Sequence, residues 1–430
     1  MRIFTSLGVR NYRYFWSGQL VSLTGTWMQR VAQDWLVLNL SHNSGTAIGV
    51  TTGLQFAPVL FFGLYGGVIA DRFPKRRTLL ITQIAAGVCA LALGLLDLSG
   101  AVQLWHVYAL AAALGVASAI DMPVRQAFVS ELVGPSLLPN AVGLNSSAFN
   151  AARVTGPAVA GLMIASVGTS WVFLINAASF IAVVAGLLAI RESELFAGRE
   201  PAIRRKGAVR EGLHYVRSRP ALVAICALVG VVGMLGFNFQ ITSALITKNT
   251  FHHGAESYGL ISATYAFGSL LGALASARRA RPSRRLVFTA AASYGLLEIA
   301  AGLMPTYWSF FALLIPFGFF TLTFSTAANT TVQLTASPAM RGRVMAVYLL
   351  VFMGGTPIGA PLVGWIAEVA GPRWSLIIGG VASVAAAVAA ASYLARREQL
   401  RVEPHLLRRR PHVHVHALAP QPVDENALVG

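Results

Sequence analysis

Long apolar stretches recur twelve times along this sequence, at approximately 14–40, 48–70, 79–98, 105–128, 140–166, 171–190, 220–247, 257–277, 286–304, 307–333, 343–367 and 374–395. A helix needs about 20 mostly apolar residues to cross the hydrocarbon of a bilayer, so each stretch reads as a spanning helix. Inside a membrane the backbone has no water to bond to, which leaves helices and closed barrels as the structures that can cross it. Barrel strands would show as alternating segments of about ten residues; these runs are continuous and too long. Charged residues make up only 11% of the 430, against 55% hydrophobic, and mean hydropathy is +0.63. A soluble domain carries about a quarter of its residues as charges, so a soluble enzyme or binding module is excluded. The expected fold is all-α and integral to the membrane. Cys89 and Cys226 lie within apolar runs and read as small buried hydrophobes. No short apolar core with a small-residue cleavage site opens the chain, so the first run is expected to stay in the membrane.

The charges are placed unevenly. With the N-terminus in the cytoplasm, 28 of the 33 lysines and arginines fall in cytoplasmic segments: 1–13, 71–78, 191–219, 278–285, 335–343 and 396–430. Lys248 and Arg373 fall in outer loops, while Arg30, Arg125 and Arg153 fall within spans. Such a bias predicts an even number of spans with both termini cytoplasmic. It also accounts for the net charge of +17, because basic loops face anionic lipid head groups; nucleic acid needs no part in it. Arginine outnumbers lysine 30 to 3 and alanine is abundant, which suits a high-GC bacterial genome and hence a bacterial inner membrane.

The polar stretch 191–219 divides the chain into two sets of six spans, 1–190 and 220–395, followed by a tail at 396–430. Gly156, Gly161, Gly168 and Trp171 are spaced as Gly359, Gly364, Gly371 and Trp374, at a constant offset of 203. "PKRR" at 74–77 and "PSRR" at 282–285 end the second and eighth spans alike. Both matches point to duplication, and the glycines to close helix packing. Two parallel six-helix halves joined by a polar loop are an architecture of secondary transporters. Gly67-x-x-x-Asp71-Arg72-x-Pro74-Lys75-Arg76-Arg77 resembles the signature between helices 2 and 3 of the major facilitator superfamily, with Pro74 where glycine is usual. "GPAVAG" at 156–161 resembles the antiporter signature of helix 5. "WMQRVAQDWLV", "DMPVRQAFVSELV" and "LPNAVGLNSSAFNAARVTGPAVAG" resemble the enterobactin-exporter-like, transmembrane-secretion-effector branch, over residues ~8–395.

The resemblance implies a charge cluster at the cytoplasmic end that latches the outward-open state. Gly67, Asp71, Arg72 and Arg76 belong to it, Glu131 is the matching acid at the inner end of helix 4, and Arg72 or Arg76 would bridge to Glu131. Asp71 would face the start of helix 11, where the helix N-terminus near residue 343 favours a negative charge. The equivalent stretch of the second half, "ASARRARPSRR", has no acid and is expected only to anchor. Charges inside spans are expensive and mark functional sites. Arg30 and Asp34 lie four apart on helix 1, as do Asp121 and Arg125 on helix 4, and such residues share a helix face. Each pair reads either as a structural ion pair or as a proton carrier tuned by its arginine. In this superfamily helices 1, 4, 7 and 10 line the cavity. Further cavity candidates are Trp27, Gln55, Arg153, Asn238, Gln240, Phe320, Phe324, Asn329 and Tyr348. Their modest polarity suits an amphipathic or aromatic organic substrate; a sugar or phosphate would want a denser polar or arginine-rich lining.

No G-x-x-x-x-G-K-[ST] occurs, so a proton gradient is the expected power source, with no cofactor, no metal and a monomer as the working unit. The leading function is proton-coupled export of small amphipathic molecules such as drugs or siderophores. An uptake symporter or lipid flippase of the same fold is the alternative. From other classes, a non-transporting scaffold or sensor is a rival, and a prenyl-transfer enzyme is disfavoured because the five aspartates are isolated. "HVHVH" at 412–416 reads as part of a solvated, disordered tail, with metal capture as the sharper alternative.

Overall fold

A computed structural model describes residues 4–196, 208–279, 282–397, 400–405 and 412–417, without side-chain detail for 63–68, 70, 71, 208, 209 and the two tail segments. The helices are α1 Arg10–Leu40, α2 Gly45–Arg72, α3 Lys75–Leu98, α4 Leu104–Val167, α5 Thr169–Leu188, α6 Ala208–Arg217, α7 Pro220–Val231, α8 Phe239–Leu245, α9 Ala255–Ala277, α10 Arg284–Leu303, α11 Tyr307–Thr335, α12 Arg341–Val369 and α13 Pro372–Arg397. Among the described residues, ten helical stretches are long and apolar enough to span a membrane. The sequence divided them differently in two places. The 64-residue α4 carries two of the expected spans, and α1 is too polar to qualify.

Both differences have local causes. The loop expected between residues 128 and 140 is helical, and the chain turns within a single residue, Gly134 (φ 69°, ψ 174°). That conformation favours glycine, and Pro135 then starts the second segment, where a missing N–H costs nothing. The break leaves the Glu131 carbonyl free, and Phe196 N–H donates to it at 2.9 Å. α1 is polar because it buries polar groups between helices: Asn11, Gln19, Gln29, Gln33 and Asp34 are all at most 6% exposed.

The seventh span is also irregular. α7 passes through a π-helical turn, Val232–Gly236, and a non-helical pair, Phe237–Asn238, before α8 and a second π turn, Ile246–Thr250. Carbonyls freed there are satisfied. Tyr294 Oη donates to the Gly236 carbonyl at 2.6 Å, and Asn238 Nδ2 to Met234 at 2.7 Å. Broken backbone at membrane depth is tolerated where it is paired or lines a cavity, and here it does both.

The glycines that repeat at an offset of 203 do matching work. A Cβ on Gly156 would lie 2.6 Å from Trp27 Cβ of α1; one on Gly359 would lie 1.8 Å from the Met234 carbonyl oxygen of the α7 π turn. Gly161 abuts Gly259 of α9, and Gly364 abuts Gly45 of α2. Gly168 (φ 88°) and Gly371 (φ 99°) end their helices in the left-handed region. Trp171 and Trp374 are both about half exposed, at 49% and 55%.

Two core clusters, one around Tyr12, Phe15 and Phe128 and a larger one around Tyr294, Phe310 and Phe324, each belong to one group of helices, α1–α5 or α6–α13. A third joins the groups: Val31, Trp35 and Ile48 pack with Ile241, Leu245, Tyr258 and Ala360. The seam is closed by α2 against α12, where Gly45, Gly49 and Gly53 meet Gly364, Ala360 and Pro357. It lies at the end away from the basic helix termini at Arg10, Lys75, Arg76 and Arg343. α6, unforeseen within the 191–219 stretch, packs on the start of α12: Arg343 Nη1 pairs with Glu211 at 2.5 Å, and Ser337 N–H donates to Tyr215 Oη at 3.1 Å. In the tail, 400–405 and 412–417 pair as antiparallel strands β1 and β2. The alternation in "HVHVHA" has the two-residue period of a strand. Residues 406–411 and 418–430 lie outside the described residues.

Candidate functional site

Two adjoining chambers lie between the helix groups, one of about 330 Å³ and one of about 200 Å³. Phe237, Gln240 and Thr356 line both. The larger is walled by Trp27, Arg153, Phe239, Tyr265 and Phe352, with hydroxyls from Ser243, Ser262, Thr321 and Ser325. The smaller holds Arg30, Asp34, Gln55, Phe56 and Asn238. Of the expected cavity residues, Trp27, Gln55, Arg153, Asn238 and Gln240 are therefore in place. Four are not. Phe324 and Tyr348 are buried in the core of the α6–α13 group. Phe320 packs against that core and on Phe319, and Asn329 accepts from Gln333 Nε2 at 2.6 Å. The error is one of helix rotation: on α11 the face with Thr321 and Ser325, one turn apart, meets the cavity, while the bulky aromatics fill the core.

Asp34 sits at the boundary between chamber and seam, 5% exposed. Its Oδ2 accepts from Tyr258 Oη at 2.7 Å and from Gln240 Nε2 at 2.9 Å. Both donors come from the other helix group. Arg30, expected as its partner one turn away, forms no ion pair with it. The Arg30 guanidinium instead lies over Trp27, with Cζ 4.6 Å from the ring centroid, and near Phe56 at 5.8 Å; its buried Nε has no hydrogen-bond partner. Arg153 approaches the same indole, at 5.8 Å. Phe149 meets Trp27 edge-on and fixes the ring.

The second pair is different. Arg125 binds Asp121 Oδ2, with Nε at 2.8 Å, while Thr82 and Gln83 donate to Oδ1 at 2.9 and 2.7 Å. Asp121 faces α3 and lines neither chamber. A carboxylate filled by four donors is a satisfied buried ion pair.

At the basic end, Glu131 pairs with Lys75 at 2.6 Å, where Arg72 or Arg76 was expected. Arg76 instead donates to the Leu187 and Leu188 carbonyls and pairs with Glu192 at 2.6 Å. Arg72 is exposed. All these contacts stay within the first helix group or its adjoining turn. The side chain of Asp71 and the surroundings of Gly67 lie outside the described residues.

The opposite end carries a contact between the helix groups that the sequence did not disclose. Glu368, near the end of α12, accepts from Ser44 Oγ at 2.6 Å and Thr46 N–H at 2.9 Å. Ser44 is the N-cap of α2, so the carboxylate sits on a helix N-terminus, where negative charge is worth about 0.3–1 kcal/mol. Lys248 Nζ donates to Asn39 at 2.5 Å and lies over Trp35, which stacks on Tyr258. Glu368→Gln is expected to loosen this seam roughly threefold to fivefold, as about 1 kcal/mol allows. In a background lacking Cys89 and Cys226, a cysteine at buried Ala244 should become correspondingly faster to alkylate. An unchanged rate would remove Glu368 from the seal.

Comparison with known proteins agrees with this geometry. The transmembrane secretion effector family model matches residues 3–418. The enterobactin exporter EntS of Shigella flexneri is 24% identical over 371 residues, covering 84% of this chain and 86% of that protein. The multidrug efflux pump Tap of Mycolicibacterium fortuitum is 26% identical over 364 residues, covering 82% and 88%. Among solved structures, a bacterial homologue of the human lysosomal transporter Spinster, inward-facing and occupied, superposes with a TM-score of 0.72 at 17% identity, covering 90% of this chain and 97% of that one. The chain is thus a membrane transporter, not an enzyme, and belongs to the transmembrane secretion effector family of the major facilitator superfamily.

Proposed function

We propose that this transporter exports small amphipathic organic molecules from a bacterial cytoplasm in exchange for protons, by alternating access of two six-helix halves, 1–190 and 220–395. Its basic end faces the cytoplasm and anionic head groups, both termini lie there, and the monomer is the working unit. In this reading the described conformation is inward-facing, sealed outside by the Trp35–Tyr258 layer and Glu368. The charge cluster of Lys75, Glu131 and the helix-2 motif waits at the cytoplasmic end, to be completed across the halves when the outside opens.

The observation that carries the reading is the pair of donors on Asp34 Oδ2. A carboxylate accepts and does not donate; once protonated at Oδ2 it gives up acceptor capacity there. Rocking the halves apart at the outer end withdraws Tyr258 and Gln240, which leaves Asp34 free to take a proton from outside. Closing the seam returns both donors and expels the proton inward. Asp34 thus carries the proton and helps to seal the gate. Similarity to an exporter and an efflux pump supports the outward direction.

The test is accumulation of a panel of amphipathic fluorophores of either charge in cells with and without the protein. At least one dye should be retained less in expressing cells, and a protonophore should erase the difference. A difference that survives the protonophore would rule out proton coupling; no difference for any dye would rule out export of this substrate class.

A further inference from the structure

We infer that the central cavity takes an amphipathic organic anion, its acid group held between Arg30 and Arg153 beside the indole of Trp27. The inference deepens the transport reading above: it rests on the cavity being the transport site, and not on the coupling ion.

Two guanidinium groups share one aromatic ring here, at 4.6 and 5.8 Å. Among the described residues neither forms an ion pair, and the two like charges cannot satisfy each other. Among the described residues, the larger chamber has no acid in its lining and the smaller has only Asp34, whose Oδ2 is committed to Tyr258 and Gln240 across the seam. Ionised Asp34 offsets at most one of the two positive charges. Cation–π contact with Trp27 and Phe56 eases the burial of Arg30, but its Nε still lacks a hydrogen-bond partner. A buried charge without a partner is costly, and guanidinium is the side chain best shaped to bind carboxylate, sulfonate or phosphate oxygens through paired donors. The vacant donors therefore specify an oxyanion.

The remainder of the chamber specifies what else the ligand carries. Trp27, Phe237, Phe239, Tyr265 and Phe352 offer ring faces and edges, and hydroxyls such as Thr321 and Ser325 offer adaptable polar contacts. A fully hydrophilic anion would leave those rings unused. A lipophilic cation would meet two positive charges at close range, which is an element of discrimination as effective as any attraction. Exchange of a monovalent anion for an entering proton moves charge in the same electrical sense on both legs, so an inside-negative potential drives both.

The probes are three naphthalene derivatives matched in size and differing in head group: a sulfonate, a sulfonamide and a trimethylammonium. Their affinities are measured on the purified full chain in lipid nanodiscs, and their exchange by counterflow in proteoliposomes. The sulfonate should bind about tenfold tighter than the sulfonamide, as a pair of charge-assisted hydrogen bonds allows, with the ammonium weakest. Arg153→Gln should bring sulfonate and sulfonamide within about twofold, whereas Arg153→Lys, which keeps the charge, should retain most of the preference. Arg30→Gln, read only if its melting temperature matches wild type, should act as Arg153→Gln does. Sodium sulfate should not displace the naphthalene sulfonate at equal concentration. The inference is overturned if the ammonium or the sulfonamide binds as tightly as the sulfonate, if the preference survives in Arg153→Gln, if sulfate displaces equally, or if no probe binds. Counterflow of the ammonium with no sulfonate preference would sink the anion but keep the transporter. Selective sulfonate binding without counterflow would keep the anion site and sink its role in transport.

Discussion

Asp34→Asn is expected to abolish uphill transport while leaving downhill exchange. One pH unit across the membrane is worth about 1.4 kcal/mol per proton, so one-for-one exchange sustains roughly tenfold accumulation. Asparagine carries no titratable proton, and the accumulation ratio should fall to about one. Counterflow, which needs only a working rocking cycle, should persist. The substitution preserves volume, and the amide oxygen still accepts from Tyr258 or Gln240, the partners of Asp34. A collapse in folding is therefore not expected, and thermal unfolding in detergent checks it. Tyr258→Phe serves as companion: it removes the 2.7 Å bond to Asp34 but keeps the stack on Trp35. It should weaken coupling less than Asp34→Asn does. Full accumulation by Asp34→Asn would move the proton to another group.

Gly359→Ala should damage the fold itself. A Cβ there would sit 1.8 Å from the Met234 carbonyl oxygen and 2.6 Å from its carbon. Both are backbone atoms of the π turn, so no side chain can swing aside. Overpacking of this kind costs typically about 1–3 kcal/mol, and more where backbone must move. The loss should appear as a lower melting temperature and less monodisperse protein. Gly342→Ala, on the same helix with nothing within 4 Å of its Cβ, is the control and should be silent. Equal behaviour of the two variants would mean that α12 does not lie on the π turn.

The fold was legible because the membrane asks so little of a sequence: length and apolarity place a span. What failed was local. The turn at Gly134 takes one residue, too short to interrupt an apolar profile, and so a loop was expected where α4 runs on. α1 was read as one more apolar run, yet its polar residues, buried against other helices, make it look less like a span than the rest. The offset of 203 between Gly156 and Gly359 was readable because close packing admits only glycine at both places, against Trp27 in one case and Met234 in the other.

The candidate site was legible by residue type and much less by partner. Asp34 and Arg30 announced themselves as charges in a span, and four-residue spacing suggested that they satisfy each other. The fold places Tyr258, more than two hundred residues away, on Asp34 and an indole on Arg30; nothing in the sequence around Tyr258 says which helix group it faces. Glu131 was expected against Arg72 or Arg76; lysine and arginine in this turn have similar reach, and only the fold decides that Lys75 takes it. Glu368 needed the seam to be known, although Gly45, Gly49 and Gly53, four apart on α2, mark a close helix contact and gave the signal that something packs there. On α11 the face was misjudged because aromatic residues were weighted as cavity walls, when small hydroxyl residues one turn apart line it.

The most direct test of alternating access across the Asp34 seam is a pair of distances measured by spin labels in lipid nanodiscs. One pair, at Ser41 and His253, reports the end sealed by Glu368; the other, at Arg72 and Gly342, reports the basic end. In the resting protein the first distance should be short and narrowly distributed and the second long. Protonation at low pH should lengthen the first and shorten the second, and Asp34→Asn should remove the pH response. Distances that stay fixed, or that lengthen together, would contradict a rocking mechanism gated at Asp34.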